Sequence, residues 1–118
     1  MSAASTAWDA AAVQTWLDSR IVAARADQVA AERKGYDGHD DCDIAAAEEM
    51  ICTLLKGKAA AGQPAFIEAL NGLLDREGFI WRGVYDDRRF DRHARSAIRK
   101  LLKMTKTNTG FDRLGRYQ

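Results

Sequence analysis

The residues whose types could perform chemistry are concentrated in one short segment, GYDGHDDCDIAAAEE, at positions 35 to 49. Four aspartates, one histidine and one cysteine lie within the seven positions 37 to 43. Carboxylates, imidazoles and thiolates serve as metal ligands, and several of them serve as acid–base groups in enzymes. A metal site, a catalytic cluster or the start of a helix would each use this composition.

A calcium-binding helix-loop-helix is one interpretation of the spacing. With Asp37 at loop position one, Glu48 falls at position twelve, where such loops place a glutamate. Position six, which needs glycine for a sharp turn, holds Cys42, and position three holds His39, a poor ligand for a hard cation. These mismatches argue against a calcium site.

Other chemistries receive less support from the residue types. His39 and Cys42 form a single H-x-x-C, whereas zinc sites use paired spacings and about four ligands. Neither a Gly-x-Ser-x-Gly elbow nor a glycine-rich phosphate loop occurs in the sequence. We therefore expect no metal, no cofactor and no enzymatic activity.

The remaining interpretation of the acidic segment is a turn followed by a capped helix. Asp40, Asp41 and Asp43 would lie just before and at the N-cap, where a carboxylate accepts a hydrogen bond from an unpaired backbone N–H. The positive end of the helix dipole favours negative charge there. The excess acid would remain available to pair with cations elsewhere.

Hydrophobic periodicity predicts an all-α protein, a small bundle of about four main helices within one 118-residue domain. The interval 79–85, FIWRGVY, is rich in strand-forming side chains and predicts either a short extended connector or a mini-hairpin. The segment 106–118 predicts a flexible or docked tail. The predicted helices span 9–34, 43–57, 64–77 and 87–105.

Apolar residues at helical spacing define a candidate core. The first helix also carries Val22 and Val29 on the side opposite its main apolar stripe, which is typical of a central helix or of an oligomer interface. The predicted core comprises Val13, Leu17, Ile21, Ile51, Leu54, Leu55, Phe66, Leu70, Leu73, Leu74, Trp81, Phe90, Ile98 and Leu101.

The fourth predicted helix separates its charges most sharply. Asp91 is the one acidic residue between positions 88 and 106, so this stretch has a net charge of +7. Its cations fall on the side opposite the apolar arc. These candidate binding residues are Arg88, Arg89, Arg92, Arg95, Arg99, Lys100, Lys103 and Lys106.

A cationic helix face is suited to a phosphate backbone. The scarcity of Asn, Gln and Ser on this face favours phosphate contacts over base readout. We therefore expect a non-catalytic nucleic-acid-associated or regulatory protein. The alternative is a protein-protein interaction module, either a homo-oligomer or an inhibitor or adaptor that meets an acidic protein surface. The charge distribution favours it, because residues 1–59 carry a net charge of −4 and residues 60–118 a net charge of +5, which gives complementary acidic and basic faces.

The sequence also bears on the compartment. No apolar run approaches the roughly 20 residues that a membrane span requires. The N-terminus, MSAASTAWDAAAV, lacks the basic and apolar regions of a secretory signal. Together with two cysteines that we expect to be reduced thiols, these features predict a cytoplasmic protein with no membrane partner.

Overall fold

Four α-helices make up most of the described chain in the computed structural model, which covers residues 7–79 and 84–113. Short 3-10 turns at Gly35–Gly38 and Ala59–Ala61 join the first three helices, and no β-strand occurs in these two ranges. The prediction of an all-α helical bundle is confirmed. The helices are α1 (Ala10–Glu32), α2 (His39–Leu54), α3 (Gln63–Leu74) and α4 (Asp87–Thr107).

Helix α2 lies at the centre of the bundle. It packs against α1 on one side and α4 on another, while α3 packs against α4. Its consecutive Ala45, Ala46 and Ala47 are all buried, and such small side chains let neighbouring helices approach closely on more than one face. The two-sided helix α1, by contrast, keeps Val22 and Val29 exposed.

Capping residues explain where α1 and α4 begin. The Asp9 carboxylate accepts the N–H of Ala12 at 3.0 Å, and the Asp86 carboxylate accepts the N–H groups of Arg88 and Arg89. The hydrogen bond from the Arg89 N–H is the main reason why the pKa of Asp86 lies below its usual value. Both aspartates are N-cap residues, which is why the sequence alone indicates where these two helices begin.

Helix α2 begins earlier than the sequence predicts. It starts at His39 rather than at residue 43, and its N-cap, Gly38, makes no side-chain hydrogen bond. The interpretation of Asp40, Asp41 and Asp43 as residues before and at the cap is therefore wrong. Asp40 and Asp41 lie in the first turn of the helix and Asp43 shortly after it, and all three side chains pair with cations elsewhere in the chain, Asp43 from a buried position.

Most of the predicted core is buried as expected. Leu54 is an exception at 38% exposure, because it is the last residue of α2 and lies at the margin of the packed region. Leu73 and Leu74 are partly buried against the core, and Trp81 lies outside the described residues. The buried predicted residues are Val13, Leu17, Ile21, Ile51, Leu55, Phe66, Leu70, Phe90, Ile98 and Leu101.

The segment after α4 is docked as far as it is described. Asn108 ends α4 in the left-handed conformation with φ 51°, and the chain then places Phe111 edge-on against Trp8 and Trp16. Phe111 is 6% exposed. Residues 114–118 lie outside the described chain, as does most of the predicted connector or mini-hairpin, residues 80–83.

None of the helices in residues 7–79 and 84–113 is long and apolar enough to cross a bilayer.

Gly38 provides a test of the close approach between α1 and the start of α2. A Cβ at Gly38 would lie 1.9 Å from the carbonyl oxygen of Ala31, so the backbone would have to move. We expect Gly38→Ala to lower the free energy of unfolding by about 2 kcal/mol in urea denaturation. The control is Gly72→Ala in α3, where a Cβ meets nothing within 4 Å.

The control should stabilise the protein by about 0.5 to 1 kcal/mol, because alanine favours a helix interior over glycine. Equal stabilities for Gly38→Ala and wild type would contradict the packing described.

Candidate functional site

Of the eight predicted cations on α4, five face outward, two are held by other parts of the fold and one lines a cleft. Five of them follow one line along the helix at intervals of three, four or seven residues. They cover nineteen positions, so the ends of the row lie eighteen rises of 1.5 Å, or about 27 Å, apart. This outer stripe consists of Arg88, Arg92, Arg99, Lys103 and Lys106.

All five residues of the outer stripe are exposed. No carboxylate in residues 7–79 and 84–113 lies within 4.0 Å of their charged nitrogens. The stripe therefore presents a net charge of +5 in a row, without an internal counterion at contact distance.

Arg89 belongs to the held group and is bound by the acidic segment. Its Nε donates to Oδ2 of Asp43 at 3.0 Å, and it also lies 3.4 Å from the carboxylate of Asp40. The hydrogen bond with Asp43 is the main reason why the pKa of Arg89 is raised above its usual value. His93, one turn further along α4, places its Nε2 3.0 Å from Asp40.

Arg95 is held by α3 and by its own helix. Its Nε donates to Asp91 at 3.0 Å, and its two terminal nitrogens donate to the carbonyl oxygens of Leu74 and Arg76 at 2.9 and 2.6 Å. The last carbonyl oxygens of a helix have no N–H partner within the helix, so the guanidinium of Arg95 caps the C-terminal end of α3 by donating hydrogen bonds to them. It is a structural residue, although its position along α4 matches the outer stripe.

Lys100 lies on the same side of α4 as Arg89 and His93, seven residues after His93. It lines a cleft of about 580 Å³ between α1, α2 and α4, together with His93, Asp27 and Lys34. It therefore does not belong to the outer stripe.

Asp43 is the residue in the acidic segment whose role differs most from the sequence prediction. Its side chain is completely buried, and it accepts the backbone N–H of Tyr85 at 2.9 Å in addition to the guanidinium of Arg89. It thus joins α2 to the segment that leads into α4. A local sequence pattern cannot distinguish this long-range role from a helix cap, because both favour aspartate near a helix start.

The carboxylates of the acidic segment are divided among several cationic partners. Asp40 and Asp43 both lie at Arg89, whereas Asp41 pairs with Lys34 and Glu48 with Arg20. Within the described ranges, no group of three or more His, Cys, Asp or Glu side chains is arranged to hold a metal ion.

A buried ion pair at the cleft was not identified from the sequence. Arg20 donates through two nitrogens to the two carboxylate oxygens of Glu48, at 3.0 and 2.9 Å, and both residues are buried. Arg20 follows Leu17 by three residues and Glu48 precedes Ile51 by three, so each charge lies on the apolar face of its helix. A positive charge on the apolar face of one helix and a negative charge on that of another could have indicated this buried ion pair from the sequence.

The two cysteines are free thiols inside the bundle. Burial raises the pKa of Cys52 to about 12, and burial is also the main reason why the pKa of Cys42 is raised. Since the thiolate is the nucleophile, neither environment favours nucleophilic chemistry.

Comparisons with known proteins give no match for this chain among protein-family models, curated proteins or solved structures.

Glu48 and Glu49, which are adjacent on α2, allow the stability contributed by the buried Arg20–Glu48 ion pair to be compared with that of the more exposed Arg25–Glu49 ion pair. Glu48→Ala leaves the buried Arg20 guanidinium without its bidentate acceptor, so we expect the free energy of unfolding to fall by about 3 kcal/mol. Glu49→Ala removes a pair with Arg25, whose side chain is 65% exposed, and a hydrogen bond from Gln28, but it leaves no buried charge without an acceptor and should cost about 1 kcal/mol. Urea denaturation of both variants measures the difference, and similar losses would contradict the distinction.

Proposed function

We propose that the protein is a non-catalytic nucleic-acid-associated protein that binds the phosphate backbone through the outer stripe of α4. The observation that carries this proposal is the alignment of five exposed cations, none of which forms an ion pair within the described ranges. Three acidic residues that contact α4 or belong to it are engaged with cations outside the stripe, Asp40 and Asp43 with Arg89, and Asp91 with Arg95, while Asp87 in its first turn has no ion pair within the described ranges.

A row of like charges repels itself, and a polyanion relieves this repulsion. The stripe is about 27 Å long, and a nucleic-acid duplex carries one negative charge per roughly 1.7 Å of its axis. Several phosphates therefore lie within reach of one helix. Each neutralised phosphate releases condensed counterions, which supplies a favourable entropy at low salt.

The composition of the stripe supports contact with phosphates rather than recognition of a base sequence. Arginine and lysine bind phosphate oxygens and can also read guanine, whereas adenine is read chiefly by asparagine and glutamine. Neither of the last two residues occurs between Asp87 and Thr107. We therefore propose binding with little sequence preference.

A second candidate function, self-association, is favoured by α1. Val22 and Val29 are 68% and 51% exposed and lie seven residues apart, so they occupy one face of the helix. Exposed apolar side chains on one face are typical of interaction surfaces. Light scattering distinguishes this candidate: a homo-oligomer that Val29→Asp converts to a monomer would favour it.

The salt dependence of binding tests the proposed function. Fluorescence anisotropy with labelled oligonucleotides should show log K falling against log salt with a slope of about −3 to −4, as expected for four or five neutralised phosphates. The triple variant Arg92→Ala, Arg99→Ala, Lys103→Ala should reduce the magnitude of this slope by about 2. Its affinity at low salt should fall by at least about tenfold.

The matched control removes the same charge from exposed positions outside α4, with Arg33→Ala, Lys56→Ala and Lys58→Ala. It should retain most of the binding. Absence of oligonucleotide binding at low salt, or an equal loss of affinity in the two triple variants, would contradict the proposal.

A further inference from the structure

Two stacked aromatic rings and a third ring tilted by 51° form a row outside the hydrophobic core, here called the ring stack. The rings of His39 and Tyr85 lie parallel, with centroids 3.8 Å apart and an interplanar angle of 10°. Tyr36 continues the row, 5.0 Å from His39. Tyr36 is 84% exposed and Tyr85 is 49% exposed, in contrast to Trp16 at 1%. Two tyrosines thus present ring surface to solvent.

The ring stack adjoins the end of α4 at which the outer stripe begins. Tyr85 immediately precedes the capping residue Asp86, and Arg88, the first cation of the stripe, follows three residues after Tyr85. The Tyr85 backbone is fixed by its hydrogen bond to buried Asp43. The rings and the cations therefore lie on one continuous part of the fold.

The charges around the ring stack are largely compensated. Asp40 is close to Arg89 and His93, Asp41 pairs with Lys34, and Asp86 accepts two backbone N–H groups. Asp37, beside Tyr36, and Asp87, beside Arg88, have no ion pair within the described ranges. A polyanion is consequently favoured on the α4 side of the rings, where Arg88 and Arg92 are exposed, and disfavoured beside Asp37.

We propose that the ligand is single-stranded nucleic acid, whose bases stack on Tyr36 and Tyr85 while its phosphates follow the outer stripe. This inference rests on the proposed function and specifies its substrate class. Bases in a duplex are stacked on one another and cannot reach a protein ring, whereas unpaired bases can. Each base has an aromatic face, so such stacking tolerates any sequence and agrees with a stripe that lacks base-reading side chains.

The test measures binding of the full chain to three polyanions: a single-stranded oligonucleotide, the same sequence as a duplex, and inorganic polyphosphate, which has no bases. Wild type should prefer the single strand. The double variant Tyr36→Ala, Tyr85→Ala should bind it at least about tenfold more weakly, since the loss of stacking costs about fivefold or more for each base and two rings are removed. Its affinities for duplex and polyphosphate should be unchanged.

The matched control is Tyr36→Phe, Tyr85→Phe, which keeps both rings and should retain the preference for single strands. Circular dichroism of each variant verifies its helical content, which exposed tyrosines should not affect. Equal binding of single strand and duplex, or full single-strand affinity in the double alanine variant, would overturn the inference while the proposed function stands. If the protein bound none of the three polyanions at low salt, both this inference and the proposed function would be overturned.

Discussion

The buried carboxylate of Asp43 is the interaction on which the placement of α4 depends. It accepts the backbone N–H of Tyr85 and the guanidinium of Arg89, and its side chain has no contact with solvent. A buried charge without partners costs several kcal/mol, so the segment entering α4 must present these two donors to α2. This requirement sets the rotation of α4 and directs Arg89 inward.

The rotation of α4 determines which of its cations remain available. Arg89 is bound by Asp43 and Asp40, and Arg95 is bound by Asp91 and by the end of α3. The five cations of the outer stripe face solvent on the same helix. The acidic segment, whose composition resembles a chemical site, therefore has a structural role. It pairs with Arg89 and lies beside His93 on one side of α4, and it leaves the outer stripe uncovered.

Hydrophobic periodicity was sufficient to predict the helical bundle and most of its core, because residues such as Ile51 and Leu70 recur at helical spacing and are buried. The roles of Asp43 and Arg20 could not be predicted in this way. Asp43 near a helix start fits a local cap, and its partners at Tyr85 and Arg89 are more than forty residues away. Likewise, the sequence identified all eight cations of α4 but could not separate the exposed ones from Arg95, because that separation depends on the packing of α3.

Arginine side-chain NMR provides the most direct measurement of the central claim, that tertiary pairing divides the cations of α4 into an available and an unavailable group. The Nε–Hε signals of Arg92 and Arg99 should shift when a single-stranded oligonucleotide is added at low salt. Those of Arg89 and Arg95, held by Asp43 and Asp91, should remain nearly unchanged. Larger shifts at Arg89 and Arg95 than at Arg92 and Arg99, or shifts confined to α1, would contradict the account.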